Sequence, residues 1–187
     1  MFEKRKQERS QFLKSVKVLC DTREQKNAHI LKELTEMGIM TESRKLDYGD
    51  YSFMVGDKDF SMSCVVERKA NVEELYTNLA QDFARIEKEF YTASQLCRDF
   101  TLLVENIESW EELRAHEVPE WQMQKNPERK VKMIGAYIYP VLRAWAKPNM
   151  YGFRVEFVKD NKKTAAKILE TFYYYWQNYK DLTAARR

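Results

Sequence analysis

Residues 49–69 read GDYSFMVGDKDFSMSCVVERK, and this stretch decides the fold. The alternating residues 51–55 predict a β-strand, and the largely apolar run 60–66 predicts a second one. Gly-Asp-Lys at 56–58 is typical of a tight turn between two antiparallel strands. The two ends of the stretch are therefore expected to lie side by side.

The two ends of this hairpin carry Asp50 and Glu67, and Lys69 lies two residues past Glu67. Alternate residues of an extended strand point to the same face, so Lys69 is expected beside the two acids. Two carboxylates about 4 Å apart repel each other by roughly 1 to 4 kcal/mol. A fold that builds such a pair usually binds a cation or shares a proton, and oxygen ligands suit Mg²⁺ or Mn²⁺. A lysine beside the metal suits phosphodiester cleavage, which builds negative charge.

Three blocks of the sequence, in this order, resemble the XPF family of structure-specific DNA endonucleases. They are VLCDTRE at 18–24, LDYGDY at 46–51 and VVERK at 65–69. The family signature is GD, a spacer, ERK, three further residues and Asp. This chain has Glu73 at the last position, which is a conservative departure.

The resemblance implies a restriction-endonuclease-like core, an α/β fold with a mixed β-sheet flanked by helices. It implies catalytic roles for Asp50, Glu67 and Lys69, with Asp50 and Glu67 as metal ligands. Asp21 follows an apolar strand at 16–20, where open α/β folds place ligands, and is predicted to add a metal ligand. The alternative for Asp21 is a helix cap.

Three arginines are predicted to bind the phosphates of the substrate. Arg23 and Arg68 adjoin the predicted acids, and the family often has an arginine facing the active site in the helix that contains Arg85. The alternative for Arg23 is an exposed ion pair with Glu24.

Composition limits the class of protein. A chain of 187 residues is most simply one domain, and a net charge of +3 does not by itself indicate nucleic acid. Three scattered cysteines and two distant histidines make a zinc site and a Ser-His-Asp hydrolase improbable. No apolar run approaches 18 residues and no signal peptide is evident, so a soluble cytoplasmic protein without membrane contact is expected.

The predicted organisation is a charged arm at 1–15, a single nuclease domain at 16–182 and a tail at 183–187. The arm is expected to be a frayed helix or disordered, with a basic arm on DNA as the alternative. A single long helix is predicted at 72–96, because apolar residues recur there at steps of three and four.

Residues 106–130 show no clear period and are predicted to form an irregular insertion. Trp121, with the polar and basic residues around it, is a candidate for DNA contact. The alternative, slightly preferred on sequence alone, is a connecting loop anchored by a buried tryptophan.

The run FYYYW at 172–176 places aromatic residues all round the last predicted helix. One helix face cannot account for five consecutive aromatics, so a self-association face is expected, with a lid over the core as the alternative. The aromatic run thus predicts a second copy of the chain or a separate protein as a partner. DNA is predicted as a partner from the resemblance to the XPF family.

The function predicted from these patterns is metal-dependent hydrolysis of DNA phosphodiester bonds at branched or structured DNA. The alternatives are a non-catalytic DNA-binding scaffold on the same fold and an RNA-processing nuclease. Typical XPF-family proteins carry a helix-hairpin-helix module after the nuclease domain. This chain has only five glycines and no Gly-rich hairpins, so a stand-alone nuclease of phage or bacterial type is expected.

Overall fold

The computed structural model describes residues 2–128 and 130–185, with the backbone alone for residues 2–4. This part of the chain contains eight α-helices and seven β-strands. The helices are α1 (Phe2–Ser15), α2 (Ala28–Glu36), α3 (Val72–Gln81), α4 (Phe83–Leu96), α5 (Trp110–Ala115), α6 (Glu120–Lys125), α7 (Ile134–Trp145) and α8 (Thr164–Ala184). The strands are β1 (Val16–Cys20), β2 (Met40–Ser43), β3 (Tyr51–Val55), β4 (Lys58–Asp59), β5 (Cys64–Lys69), β6 (Asp99–Glu105) and β7 (Arg154–Val158).

The strands form one mixed sheet in the order β2-β1-β3-β5-β6-β7, with β4 paired to β3. Strand β1 is parallel to β2, and β6 is parallel to β7. Strands β1 and β5 are antiparallel to β3. The central strands are almost wholly buried, as their apolar sequences predict. The predicted α/β class with a mixed sheet is confirmed.

The predicted hairpin forms, but its second half has two parts. After Gly56, which has a φ of +57°, the short β4 pairs with β3. Phe60 then accepts hydrogen bonds from the N–H groups of Ser63 and Cys64, so the chain turns before β5 begins. The pair of Tyr51 with Val66 then sets β3 against β5.

The chain divides into two compact units. The first unit comprises the described residues up to Glu67, Leu96–Phe100 and the described residues from Lys162 onward. Its core is aromatic: the ring of Phe53 stacks on those of Phe60 and Phe172, at centroid distances of 4.6 and 4.7 Å. Phe12 of α1 is fully buried and meets Phe53 edge-on. The predicted charged arm is therefore a helix held on the core, and its disordered alternative is not what the chain adopts.

The aromatic run of α8 is used mainly inside this first unit. Tyr173 and Trp176 contact the ring of Phe12, while Tyr175 contacts Phe53 and Phe60. Of the five aromatic residues at 172–176, only Tyr174 is largely exposed, at 56%. Packing on α1 and the sheet thus accounts for most of the run, and self-association through this helix stays a prediction. Residues 186–187 of the predicted tail lie outside the described residues.

The second unit comprises Arg68–Gln95 and Thr101–Asn161. Phe90 of α4 packs against Trp145 and Phe153, which builds its core. Gly135 of α7 lies so close to α5 that an added Cβ would stand 1.9 Å from the carbonyl oxygen of Leu113. A side chain at Gly135 would therefore force the two helices apart. The prediction of one nuclease domain at 16–182 is not tested by these units and stays a prediction.

Two predicted segments differ from the structure. The single helix at 72–96 is interrupted at Asp82, which has a φ of −151° and a ψ of 64° and whose carboxylate accepts a hydrogen bond from the N–H of Arg85. Asp82 thus ends α3 and caps α4. The irregular insertion at 106–130 contains α5 and α6, of which α5 is capped by the Ser109 hydroxyl.

None of the described helices, α8 included, is both long enough and apolar enough to cross a lipid bilayer.

Candidate active site

Asp50 is fixed between two strands by its own backbone. Its N–H donates to the carbonyl oxygen of Val66 at 2.8 Å, and its carbonyl oxygen accepts from the N–H of Asp21 at 2.8 Å. Gly49 makes this approach possible, because its φ is +67° and an added Cβ would lie 3.0 Å from the same Val66 oxygen. The Gly-Asp pair therefore sets Asp50 just before β3, beside the end of β1 and the middle of β5.

Asp21 is enclosed by hydrogen-bond donors. Its Oδ1 accepts from Nε and from the backbone N–H of Arg23, both at 2.7 Å, and its Oδ2 accepts from Arg23 Nη2 at 3.1 Å and from the N–H of Leu46 at 2.6 Å. The carboxylate is 1% exposed. Burial alone would raise the pKa of this carboxyl, but the hydrogen bonds from Arg23 and Leu46 outweigh burial and hold the pKa below its ordinary value.

Arg23 brings Asp50 and Glu67 into the same group as Asp21. The pKa of its guanidinium is raised chiefly by the hydrogen bond to Asp21, against the lowering effect of burial, and further by the negative charges of Asp21, Asp50 and Glu67. The charges of Asp50 and Glu67 thus both influence this one cation, and the convergence of the two acids at an active site stays a prediction. Asp21, Asp50, Glu67 and Arg23 are called the acidic cluster below.

The acidic cluster is not a ready-made three-ligand metal cage. Among the residues that the structure describes, no group of three or more His, Cys, Asp or Glu side chains is arranged to hold a metal ion. The contacts of Asp21 explain this, because its oxygens face Arg23 and Leu46. Asp50 and Glu67 are both half-buried, so they keep contact with solvent. The metal roles predicted for Asp21, Asp50 and Glu67 stay predictions.

Lys69 ends β5, two residues after Glu67. Alternate residues of a strand share a face, so the strand directs Lys69 to the side on which Glu67 lies. The residue is buried, at 8% exposure. An ammonium group there acts through a medium of lower dielectric than water, which strengthens its effect on a nearby anion.

Arg68 has an internal partner. Its Nη2 donates to Glu105 Oε2 at 2.5 Å, and the two side chains are 4% and 1% exposed. Breaking a buried ion pair of this kind leaves an uncompensated charge and costs about 3–5 kcal/mol. In this conformation the Arg68 guanidinium is therefore committed to Glu105, and a phosphate contact would need that pair to open.

Arg85 lies on α4 and is exposed. Its Nε donates to Asp82 at 2.9 Å and its Nη1 to Glu89 at 2.7 Å, so two acids of the same helix region hold it. The hydrogen bond to Glu89 is the main reason why the pKa of Arg85 is raised. A phosphate would have to compete with both carboxylates for this side chain.

Glu73, at the position where the signature has Asp, lies in the first turn of α3. Its Oε1 is 3.1 Å from Nε2 of His116, which directly follows α5. Sequence reasoning missed this partner, since 43 residues separate the two side chains in the chain. Sequence reasoning also missed the pair of Arg68 with Glu105, although the position of Glu105 at the end of an apolar strand is a signal that its side chain is buried.

The chain is similar to known proteins in both sequence and fold. The model of the ERCC4 domain family matches residues 20–171, which is most of the chain. XPF from Aeropyrum pernix superposes with a TM-score of 0.59 at 20% identity, over 90% of this chain and 69% of that one. XPF from Aeropyrum pernix in complex with DNA gives a TM-score of 0.56 at 18% identity, over 87% and 66% of the two chains.

At such identities these likenesses show the fold alone, and no sequence match was found among curated proteins. The family match has a different weight, because it spans far more than half of the chain and includes Asp21, Asp50, Glu67 and Lys69. The chain belongs to the ERCC4 domain family and is an XPF-family nuclease domain.

Proposed function

We propose that this chain is a divalent-metal-dependent endonuclease that hydrolyses phosphodiester bonds of branched or otherwise structured DNA. The observation that carries the proposal is that backbone hydrogen bonds hold Asp50 between Asp21 and Val66, the residue before Glu67, and that Lys69 lies two residues after Glu67 in β5. Carboxylates and cations are the residue types that metal-assisted phosphodiester hydrolysis uses. DNA as the partner is supported by the structural match to an XPF that was solved in complex with DNA.

Asp50 and Glu67 are the residues that would hold the metal. Carboxylate oxygens are the hard ligands that Mg²⁺ and Mn²⁺ prefer, and both side chains keep contact with solvent. When bound, such an ion supplies Lewis-acid chemistry that favours attack of water on the phosphodiester. The donor set of the acidic cluster fits this use, because the third acid is already neutralised by Arg23.

The cations of the site act on the phosphate. Lys69 is assigned the stabilisation of charge that develops on the phosphoryl group, or the orientation of the attacking water. The hydrogen bonds of Arg23 use Nε and Nη2, which leaves the donors of Nη1 for an adjacent phosphate. Its side chain is 63% exposed, so a phosphate can reach it.

The remaining predicted residues have less direct parts. Asp21 orients Arg23, and its own ligation to a metal would require Arg23 to release it. Arg68 and Arg85 would likewise contact DNA only by leaving the carboxylates that hold them. These residues are therefore secondary to Asp50, Glu67 and Lys69 in the proposed reaction.

The test is cleavage of a panel of labelled linear, flapped, forked and four-way DNAs in Mg²⁺, with EDTA as the blank. Asp50→Asn and Lys69→Ala should each lower the cleavage rate by at least about a hundredfold, the lower bound expected for loss of one catalytic group. Asp57→Asn, in the exposed turn after β3, is the matched control and should cleave like the wild type. Circular dichroism melting checks that each variant folds.

Wild-type rates in Asp50→Asn or Lys69→Ala would remove those residues from the mechanism. Gel shifts in EDTA separate the other candidate functions: tight binding of the wild type without cleavage of any DNA would identify a non-catalytic DNA-binding subunit. An RNA strand of the same sequence, cleaved faster than its DNA counterpart, would identify an RNA-processing nuclease.

A further inference from the structure

Helix α6 presents an exposed tryptophan. No residue of α6 is buried, and Trp121 is 57% exposed. Tryptophan is highly buried on average, since its large apolar surface stabilises a fold only when it is covered. Trp121 is therefore not a buried anchor of this segment, whereas Trp110, in the same predicted insertion, contacts the rings of Tyr139 and Phe157. The exposed indole of Trp121 therefore contributes little to the stability of the fold, which suggests that it binds a ligand.

A cation lies over this indole. Lys125 Nζ is 5.2 Å from the centroid of the Trp121 ring, one helical turn further along α6. Glu120, the acid next to Trp121, lies 3.4 Å from Lys132, which is also 3.4 Å from Glu117. Residues 119–133 contain four basic and two acidic side chains, so the segment that bears Trp121 is locally positive.

We infer that Trp121 is a stacking platform for an unpaired base of single-stranded DNA, and that Lys125 contacts the neighbouring phosphate. Aromatic side chains beside flexible cations bind single strands in this way, because every base has a π-face and every nucleotide a phosphate. A base inside a duplex is already stacked on its neighbours and offers no free face. The site therefore selects the single-stranded part of a substrate.

This inference rests on the proposed function, since it names the part of the DNA substrate that α6 would recognise. A protein partner is the competing occupant of an exposed indole. The local positive charge and the ammonium placed over the ring favour a polyanion instead.

The test measures binding in EDTA, where metal-dependent cleavage cannot occur. Fluorescence anisotropy gives the Kd of the wild type, Trp121→Ala, Trp121→Phe and Lys125→Gln for labelled oligo(dT) and for a blunt duplex of the same length. Trp121→Ala should weaken binding of oligo(dT) by about tenfold and leave the duplex affinity unchanged, whereas Trp121→Phe should retain most of the affinity. Lys125→Gln should lower the salt dependence of log K for oligo(dT) by about 0.7.

Tyr174→Ala is the matched control, since Tyr174 is an aromatic of almost the same exposure, 56%, on α8. It should bind both DNAs like the wild type. The inference is overturned if Trp121→Ala binds oligo(dT) normally, if it loses single-stranded and duplex affinity equally, or if Tyr174→Ala shows the same loss. Absence of cleavage by the wild type in Mg²⁺ would reject the proposed function and leave this binding result standing.

Discussion

Arg23 holds the Asp21 carboxylate with two hydrogen bonds, from Nε to Oδ1 at 2.7 Å and from Nη2 to Oδ2 at 3.1 Å. The same Nη2 donates to the carbonyl oxygen of Leu46 at 2.9 Å, and the N–H of Leu46 donates back to Asp21 Oδ2. This exchange ties the end of β1 to the segment that leads into Gly49 and Asp50. The ion pair thus positions the Gly-Asp pair as well as orienting Arg23.

The Asp21 contacts predict a specific dependence of stability on pH. The folded-state pKa of Asp21 lies below its ordinary value of 3.8, so the folded protein binds fewer protons than the unfolded chain in this range. The stabilisation is therefore complete above the ordinary value and is lost as pH falls through the lower, folded-state pKa. Asp21→Asn should cost about 2 kcal/mol of unfolding free energy at neutral pH, because buried donors lose a charged acceptor.

Urea unfolding of wild type and Asp21→Asn from neutral to acidic pH measures this difference. The difference in unfolding free energy between the two proteins should become smaller only in the most acidic samples, below the ordinary pKa of Asp. Asp57→Asn, an exposed turn variant, corrects for the effect of removing one negative charge. A gap that stays constant down to the lowest pH would show that the Asp21 charge does not stabilise the fold.

The buried pair of Arg68 and Glu105 predicts strong coupling between these residues. Arg68→Met or Glu105→Met alone should cost about 3–5 kcal/mol, because each removes one partner of a buried ion pair and leaves the other charge inside the protein. The double variant should be more stable than either single one, since it removes both charges together. Urea unfolding of the four proteins gives the coupling energy.

The same double variant also tests the phosphate role of Arg68. If Arg68 acts only inside the protein, the salt dependence of DNA binding by the double variant should equal that of the wild type. A slope of log K against log salt that is lower by about one would instead show a lost phosphate contact.

The sequence pattern predicted the strands and turns that depend on neighbouring residues. The alternation at 51–55, the turn at 56–58 and the apolar runs of β1 and β6 gave the strands, because a strand with one or two buried faces must carry that pattern. The Gly-Asp pair and the ERK block indicated the candidate site through their resemblance to the XPF family, and the positive φ of Gly49 explains why glycine precedes Asp50.

Contacts between distant residues were not predictable from pattern. Arg68 and Glu105 are 37 residues apart, and a bare sequence gives no register between β5 and β6. The apolar spacing at 72–96 continues through Asp82, so periodicity alone suggested one helix although Asp is a common cap. The charged composition of α1 likewise gave no sign that this helix packs on the core. A single buried ring, that of Phe12, is enough to hold it there.

Phe12 predicts that α1 belongs to the cooperative fold. The ring is fully buried and contacts Phe53, Tyr173 and Trp176, so its removal leaves a cavity in the first unit. Phe12→Ala should lower the unfolding free energy by about 3–5 kcal/mol. Leu182→Ala, at an exposed position of α8, should change it by less than about 0.5 kcal/mol. Equal, small effects in urea unfolding would mean that α1 is detached in solution.

Gly49 and Gly56 provide a matched pair of substitutions for the site. Both have positive φ, so Gly49→Ala and Gly56→Ala each incur a backbone strain of about 1 kcal/mol. Only at Gly49 does the new Cβ meet neighbours, at 3.0 Å from the Val66 carbonyl oxygen and 3.1 Å from Val65 Cβ. That oxygen accepts the hydrogen bond of Asp50, so relief of the contact displaces the proposed metal ligand. Gly49→Ala should therefore lose at least about tenfold in cleavage rate, since small misplacements of reacting groups are costly. Gly56→Ala should keep the wild-type cleavage rate. Equal cleavage rates in the two variants would show that the close packing of Gly49 against Val66 does not matter for catalysis.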